Sequence, residues 1–217
     1  VEWTLYRDGS GFDALRDEWN DLLGRSRFDT IFLTYEWQST WWQHLGQGRG
    51  PLYILAGRDA GRLVAILPLY VQEQDGPALQ VVGCIEVSDY LDLIIEVGYE
   101  EEVFRGFLAW LAGPDAPAWD FVDLCNQPAA SLSHTVLPKL AEAAGFVAEV
   151  AQEDVSPILT LPRLEDHEDP RPENAWDAYL ASLDKKERHE IRRKLRRVER
   201  EAPGAAIRFV EPGSDLS

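Results

Sequence analysis

Apolar and polar positions recur along this chain with periods that mark its elements. Trp3 and Leu5 alternate with polar neighbours over residues 2–7, the period of a strand with one covered face. Phe12, Leu15, Trp19, Leu22 and Leu23 follow at helical spacing and predict an amphipathic helix ending near Gly24. Thr34 is placed to cap a second helix. Its core stripe is predicted to be Trp37, Trp41 and Leu45, with Tyr35 and Trp42 off the stripe. Residues 52–58 and 63–71 read as two strands joined by the turn residues Asp59-Ala60-Gly61.

The run 63–71 is apolar on both parities, as expected of a strand covered on both faces, yet it contains Pro68. A proline cannot donate to a central ladder, so a bulge or a splay is predicted there. Past the turn Asp75-Gly76-Pro77, residues 79–83 and 90–96 are expected to continue the sheet. In 90–96, Leu91, Leu93 and Ile95 fall on one parity and Tyr90, Asp92, Ile94 and Glu96 on the other, which predicts carboxylates and a phenol meeting water or a partner.

Gly98 opens a helix with Glu100, Glu101 and Glu102 in its first turn. Val103, Phe104, Phe107, Leu108 and Leu111 form its buried face, and Gly113-Pro114 stops it. A strand over 119–124 follows. Ser131 or Ser133 then caps a helix with Leu132, Val136, Leu137, Leu140 and Ala144, closed by Gly145, and 146–150 and 157–161 read as strands. These elements make one domain over 1–161. Residues 162–173, with three prolines and an excess of acids, read as a linker. Residues 174–217 hold a helix near 175–183, a basic helix and a short strand at 206–210.

Composition changes this picture in one respect. The net charge of −17 argues against general nucleic-acid binding, but residues 185–200 hold nine of the 21 basic side chains and three acids, leaving −23 on the rest. No apolar run is long enough to span a bilayer and no signal-peptide pattern opens the chain, so a cytoplasmic protein is expected. Cys84 and Cys125 lie in apolar runs without CxxC spacing and read as two buried, reduced thiols. The four histidines show no metal-ligand spacing, and no metal is expected. Ser133-His134 lacks a third partner, which excludes a hydrolase triad.

The order strand, two helices, antiparallel strands, helix, strand, helix, two strands resembles the GNAT acyltransferase fold: a mixed α/β, mostly antiparallel sheet flanked by helices. Particular residues narrow the resemblance: Phe32, Trp37 and Trp41; Leu-Pro-Leu at 67–69; Gly83 with Asp89-Tyr90-x-Asp92; and the run from Tyr179 through Arg188 into Ile-Arg-Arg-Lys-Leu-Arg-Arg. Together they look like the CelD-type or Fem-like acetyltransferases, which resemble two GNAT folds in tandem. The match covers most of this chain and about half of such a protein. It implies an acyl-CoA donor (acetyl-CoA) for the complete enzyme, an amine acceptor on a sugar, peptide or cell-envelope precursor, and a second GNAT-like domain that residues 174–217 would begin and that would continue beyond Ser217.

A GNAT donor site needs an Arg/Gln-x-x-Gly-x-Gly/Ala loop whose backbone N–H groups reach the pyrophosphate. Here the equivalent helix begins Gly98-Tyr99-Glu100-Glu101-Glu102, and its carboxylates would repel phosphate. The chain therefore reads as the donor-free, inactive copy of the pair, with no residue assignable as general base. The substrate-binding candidates are Trp37, Asp89, Tyr90 and Asp92, together with Arg188 and Arg192 beside the stripe Ile191, Leu195, Val198, Ala202. Arg193 and Arg197 should face solvent. The alternative is a non-catalytic module that binds an anionic ligand through the basic helix. Nucleic acid is a weaker fit, because no aromatics interleave with the arginines.

Overall fold

The computed structural model describes residues 1–73, 76–83, 87–157 and 174–205. It divides into two compact units, Val1–Asp154 and Val155–Ser217. The first opens with β1 (Glu2–Tyr6) and α1 (Ser10–Leu23), then a 3-10 turn (Ile31–Leu33) and α2 (Tyr35–Trp41), which runs into a π-helical turn, Trp42–Gly46. Next come β2 (Leu52–Asp59), β3 (Arg62–Gln72), β4 (Ala78–Val81), the two-residue β5 (Ile94–Ile95), α3 (Glu100–Leu111), β6 (Phe121–Asp123), α4 (Leu132–Thr135) and α5 (Leu137–Ala143). The sheet order is β1-β2-β3-β4-β6, with β5 also on β3. Every pairing is antiparallel except β4 with β6. The expected architecture, a mixed, mostly antiparallel sheet flanked by helices, is present.

Side-chain parity on β2 places the layers. A Cβ at Gly11 of α1 would lie 3.0 Å from Ile54, and Trp110 of α3 packs at a tilt on Tyr53, with ring centroids 6.2 Å apart. Ile54 and Tyr53 are adjacent and point to opposite faces, so α1 and α3 cover opposite sides of the sheet. Tyr70, opposite Leu52, shares the α1 face, and Trp41 and Trp42 pack on it. The buried face of α3 is the expected one.

Pro68 is paired with Ile54 without a bulge, and the register shift lies at Gly57/Arg58 instead. The splay is present on the other edge of β3. Residues 69–72 pair with β4, and 65–66 pair with β5. Pro68 stands where one partner gives way to the other. Its carbonyl accepts from Val82 N at 2.9 Å, and the N–H it lacks would have gone to Val82 O. Gln38, wholly buried on α2, fills that place, donating from Nε2 to Val82 O at 3.0 Å and to Phe32 O at 2.8 Å. A proline in a central strand is thus tolerated because a side chain from α2 supplies the missing donor.

Five expectations need correction. Residues 90–96 are not a strand. Only Ile94–Ile95 pair, Tyr90 sits at φ 52°, and Asp92 is buried with its neighbours on both parities. The α2 stripe does not extend to Leu45. The π-turn carries that side chain to 40% exposure, while Gln38 and Trp41 take the core positions. The helix at 132–144 is broken at Val136, because Pro138 lies in the next turn. Residues 146–150 form no strand. Cys125 is disulfide-bonded rather than a thiol, and Cys84, the only other cysteine, lies outside the described residues. The linker 162–173, the strand at 206–210 and residues 158–161 also lie outside them.

The second unit contains α6 (Ala175–Ser182), capped by Asn174, and α7 (Lys185–Glu201), capped by Asp184, which accepts from Glu187 N at 2.8 Å.

Candidate functional site

The site grows from the point where β4 leaves the sheet. At Gly83 the chain turns away at φ 105°, where a Cβ would meet Leu91 at 3.1 Å and Gln38 at 3.2 Å. It returns to β3 only at Ile94. Residues 87–93 therefore cross the seam that follows the parallel β4–β6 pair, opposite 124–133. Hydrogen bonds close that seam along its length. Gln80 Nε2 donates to Asp123 at 3.1 Å. Leu91 N donates to Asn126 O at 3.1 Å, and Asn126 Nδ2 to Ser88 O at 2.9 Å. Tyr90 and Asn126, on the two sides of the seam, are both in the left-handed region, at φ 52° and 56°.

Asp92 makes the tightest closure. Ser131 and Ser133 each donate a hydroxyl to its carboxylate at 2.5 Å, and Leu93 N donates at 2.8 Å. Ser131 also caps α4, accepting from Ser133 N at 3.0 Å. Burial pushes the Asp92 carboxyl above the usual carboxylate range; the two hydroxyls, the Leu93 N–H and the Arg27 charge pull the other way. A small open depression lies beside it, with Phe28, Phe104 and Leu132 as apolar walls. Arg27 and Glu100, paired at 3.2 Å, also line it.

The predicted site residues fall in both units. Trp37 is half-buried, stacks edge-on against Phe32 at 5.0 Å and donates Nε1–H to Ser88 Oγ at 2.9 Å, which ties it to the 87–93 segment. Asp89 and Tyr90 are exposed on that segment, whereas Asp92 turns inward. Arg188 and Arg192 lie on α7, in the second unit. Arg188 is half-buried and donates to Leu183 O at 3.0 Å; Arg192 is exposed. The seam is completed by Gln38, Ser88, Asn126 and Ser133, which sequence reading did not single out as site residues. Ser131-x-Ser133 was visible only as capping chemistry.

The residues at the start of α3 do not fit an acyl-CoA pyrophosphate. Gly98 N–H already donates to Glu100 Oε2 at 2.6 Å, and Glu101 and Glu102 occupy the rest of the first turn. Glu101 is paired with Arg105 at 2.7 Å, so it is Glu100, seated on the Gly98 N–H, that fills the place of an incoming phosphate at the helix end. Glu96, just before, is bound by Arg25 at 3.1 Å and Arg62 at 2.7 Å. Among the described residues no group of His, Cys, Asp and Glu is arranged to hold a metal, and no helix is long and apolar enough to cross a membrane.

No family model matches this chain, and no curated protein matches it. Solved structures do. A glucosamine-6-phosphate N-acetyltransferase from Arabidopsis thaliana is 11% identical over 72% of this chain and 99% of its own, with a TM-score of 0.41. An aminoglycoside acetyltransferase from an uncultured soil metagenomic sample is 15% identical over 73% and 100%, with a TM-score of 0.42. A ribosomal-protein-alanine N-acetyltransferase from Brucella melitensis biovar Abortus 2308 is 20% identical over 74% and 99%, with a TM-score of 0.34. The activities in those names belong to those proteins.

Proposed function

We propose that this chain is the donor-free, acceptor-shaping half of an acyl-CoA-dependent N-acyltransferase that acts on an amine of a sugar, peptide or cell-envelope precursor. The acyltransferase part of this reading rests on the sequence resemblance to the tandem acetyltransferases. The observation that carries the donor-free part is the closed seam: Asp92, Ser131, Ser133, Asn126 and Ser88 bond the two diverging segments together, and glutamates fill the helix end beside them. An acyl donor would have to break several buried hydrogen bonds and displace Glu100 from the Gly98 N–H and from Arg27, each an unfavourable step. What stays accessible is the rim of the 87–93 segment, where Asp89 can accept from an ammonium and the Tyr90 ring can lie against it.

Amide and indole NMR shifts test this reading, with glucosamine and acetyl-CoA as separate probes. Glucosamine is expected to move the resonances of Trp37, Asp89 and Tyr90, and acetyl-CoA to leave 96–104 unmoved. Saturable shifts of 96–104 by acetyl-CoA would show a donor site in this half and overturn the reading.

A further inference from the structure

The cations of α7 are of two kinds. Arg193 pairs with Glu190 at 2.6 Å, and Lys194 approaches the same carboxylate at 3.9 Å. Arg197 and Arg200 pair with Glu201 at 2.8 and 3.3 Å. Arg188, Arg192 and Arg196 form no ion pair among the described residues. They follow one another at i, i+4 and i+8, so they lie on one flank of the helix about 6 Å apart.

That flank borders the stripe of Ile191, Leu195 and Val198. Leu195 is 44% and Val198 51% exposed, so apolar surface is open beside the arginine row. The opposite flank is different in kind. At 100° per residue it carries Glu187, Glu190 and Glu201 around Lys194. The helix is thus apolar along one line, net cationic on one side of it, where Lys185 joins the three arginines and Glu199 is the one acid, and net acidic on the other.

We propose that this face of α7 docks an acidic amphipathic helix of a partner protein. Carboxylates of the partner at i, i+4 and i+8 would meet Arg188, Arg192 and Arg196 while its apolar residues cover Leu195 and Val198. The three-line pattern selects this partner over the other polyanions. An anionic bilayer would press the Glu187, Glu190 and Glu201 flank onto headgroups of like charge, whereas membrane-surface helices carry cations on both sides of the apolar stripe. A nucleic-acid strand could use the arginine row but would leave Leu195 and Val198 uncovered, and α7 has no aromatic side chain for a base to stack on.

Fluorescence anisotropy with a labelled synthetic helix of about 18 residues, Glu at i, i+4 and i+8 beside a leucine stripe, tests this on the whole chain. Saturable binding in the tens of micromolar is expected at near-physiological salt, an affinity typical of a short helix in a shallow groove, of order −6 kcal/mol. Arg192→Glu and Arg196→Glu, both exposed, should each weaken it roughly tenfold, and Leu195→Glu should abolish it. Arg193→Glu should change it less than about threefold, because Arg193 projects roughly 160° away from Leu195, on the side of the helix opposite the docking face. Circular dichroism checks that each variant stays folded. The proposal is overturned if the peptide does not bind, if Arg192→Glu and Arg193→Glu lose equally, or if oligothymidylate or phosphatidylserine vesicles bind more tightly than the peptide.

Discussion

Among single residues, Asp92 departs furthest from the sequence pattern: alternation along the chain turns its carboxylate toward water or a partner, and the fold places it inside. Residues 90–96 alternate like a strand, but Tyr90 in the left-handed region and only two paired residues at 94–95 break the alternation, and Asp92 turns inward. Nothing local in the sequence encodes that turn; the partners, Ser131 and Ser133, lie about forty residues away. Replacing Asp92 by Ala strands two buried hydroxyls and should cost about 3 kcal/mol, read as a fall in the midpoint of chemical denaturation. Asp92→Asn should cost less, and its cost should depend on pH. Because burial raises the folded-state pKa, the native protein binds the extra proton. Wild-type stability from this group is therefore greatest below the unfolded value of about 4 and is lost as pH rises through the raised one. The gap between wild type and Asp92→Asn should narrow from pH 4 to pH 7; a gap that widens would mean the carboxylate is stabilised in its charged form.

At the scale of elements, most of the fold was legible because its helices and long strands carry strong periods: α1, β2, β3, α3 and the caps Thr34 and Ser131 all lie where the pattern puts them. What was not legible was compensation between elements. Pro68 advertised an irregularity, but the donor that resolves it comes from Gln38, thirty residues upstream on a helix. This makes a coupled prediction. Gln38→Leu leaves Val82 O and Phe32 O without their donor and should cost about 2–3 kcal/mol. Pro68→Val restores an N–H on the edge facing Val82 O. It should recover part of the Gln38→Leu loss, while gaining little in the wild-type background, where Gln38 already occupies that acceptor. Additive effects in a double-mutant cycle would mean that the two residues do not share Val82 O.

At the scale of the whole molecule, charge and covalent chemistry set the boundaries. The chain is strongly acidic at −17, and its largest cationic run is confined to α7. That acidic field opposes the phosphates of a CoA donor before any local contact is made. The disulfide at Cys125 was not readable from two isolated cysteines in apolar runs, since spacing carries no information about which segments the fold brings together. Alkylation of the denatured, unreduced chain should label no cysteine, and one labelled thiol would contradict the bonded state.

Closure of the seam beside Asp92 against an acyl donor is checked by isothermal titration of acetyl-CoA into the chain. The closed seam and the glutamates at the start of α3 predict no saturable heat up to roughly millimolar donor, the range of affinities weaker than about −4 kcal/mol. A single-site isotherm in the micromolar range, lost on charge-preserving substitutions around Asp92, would contradict that closure.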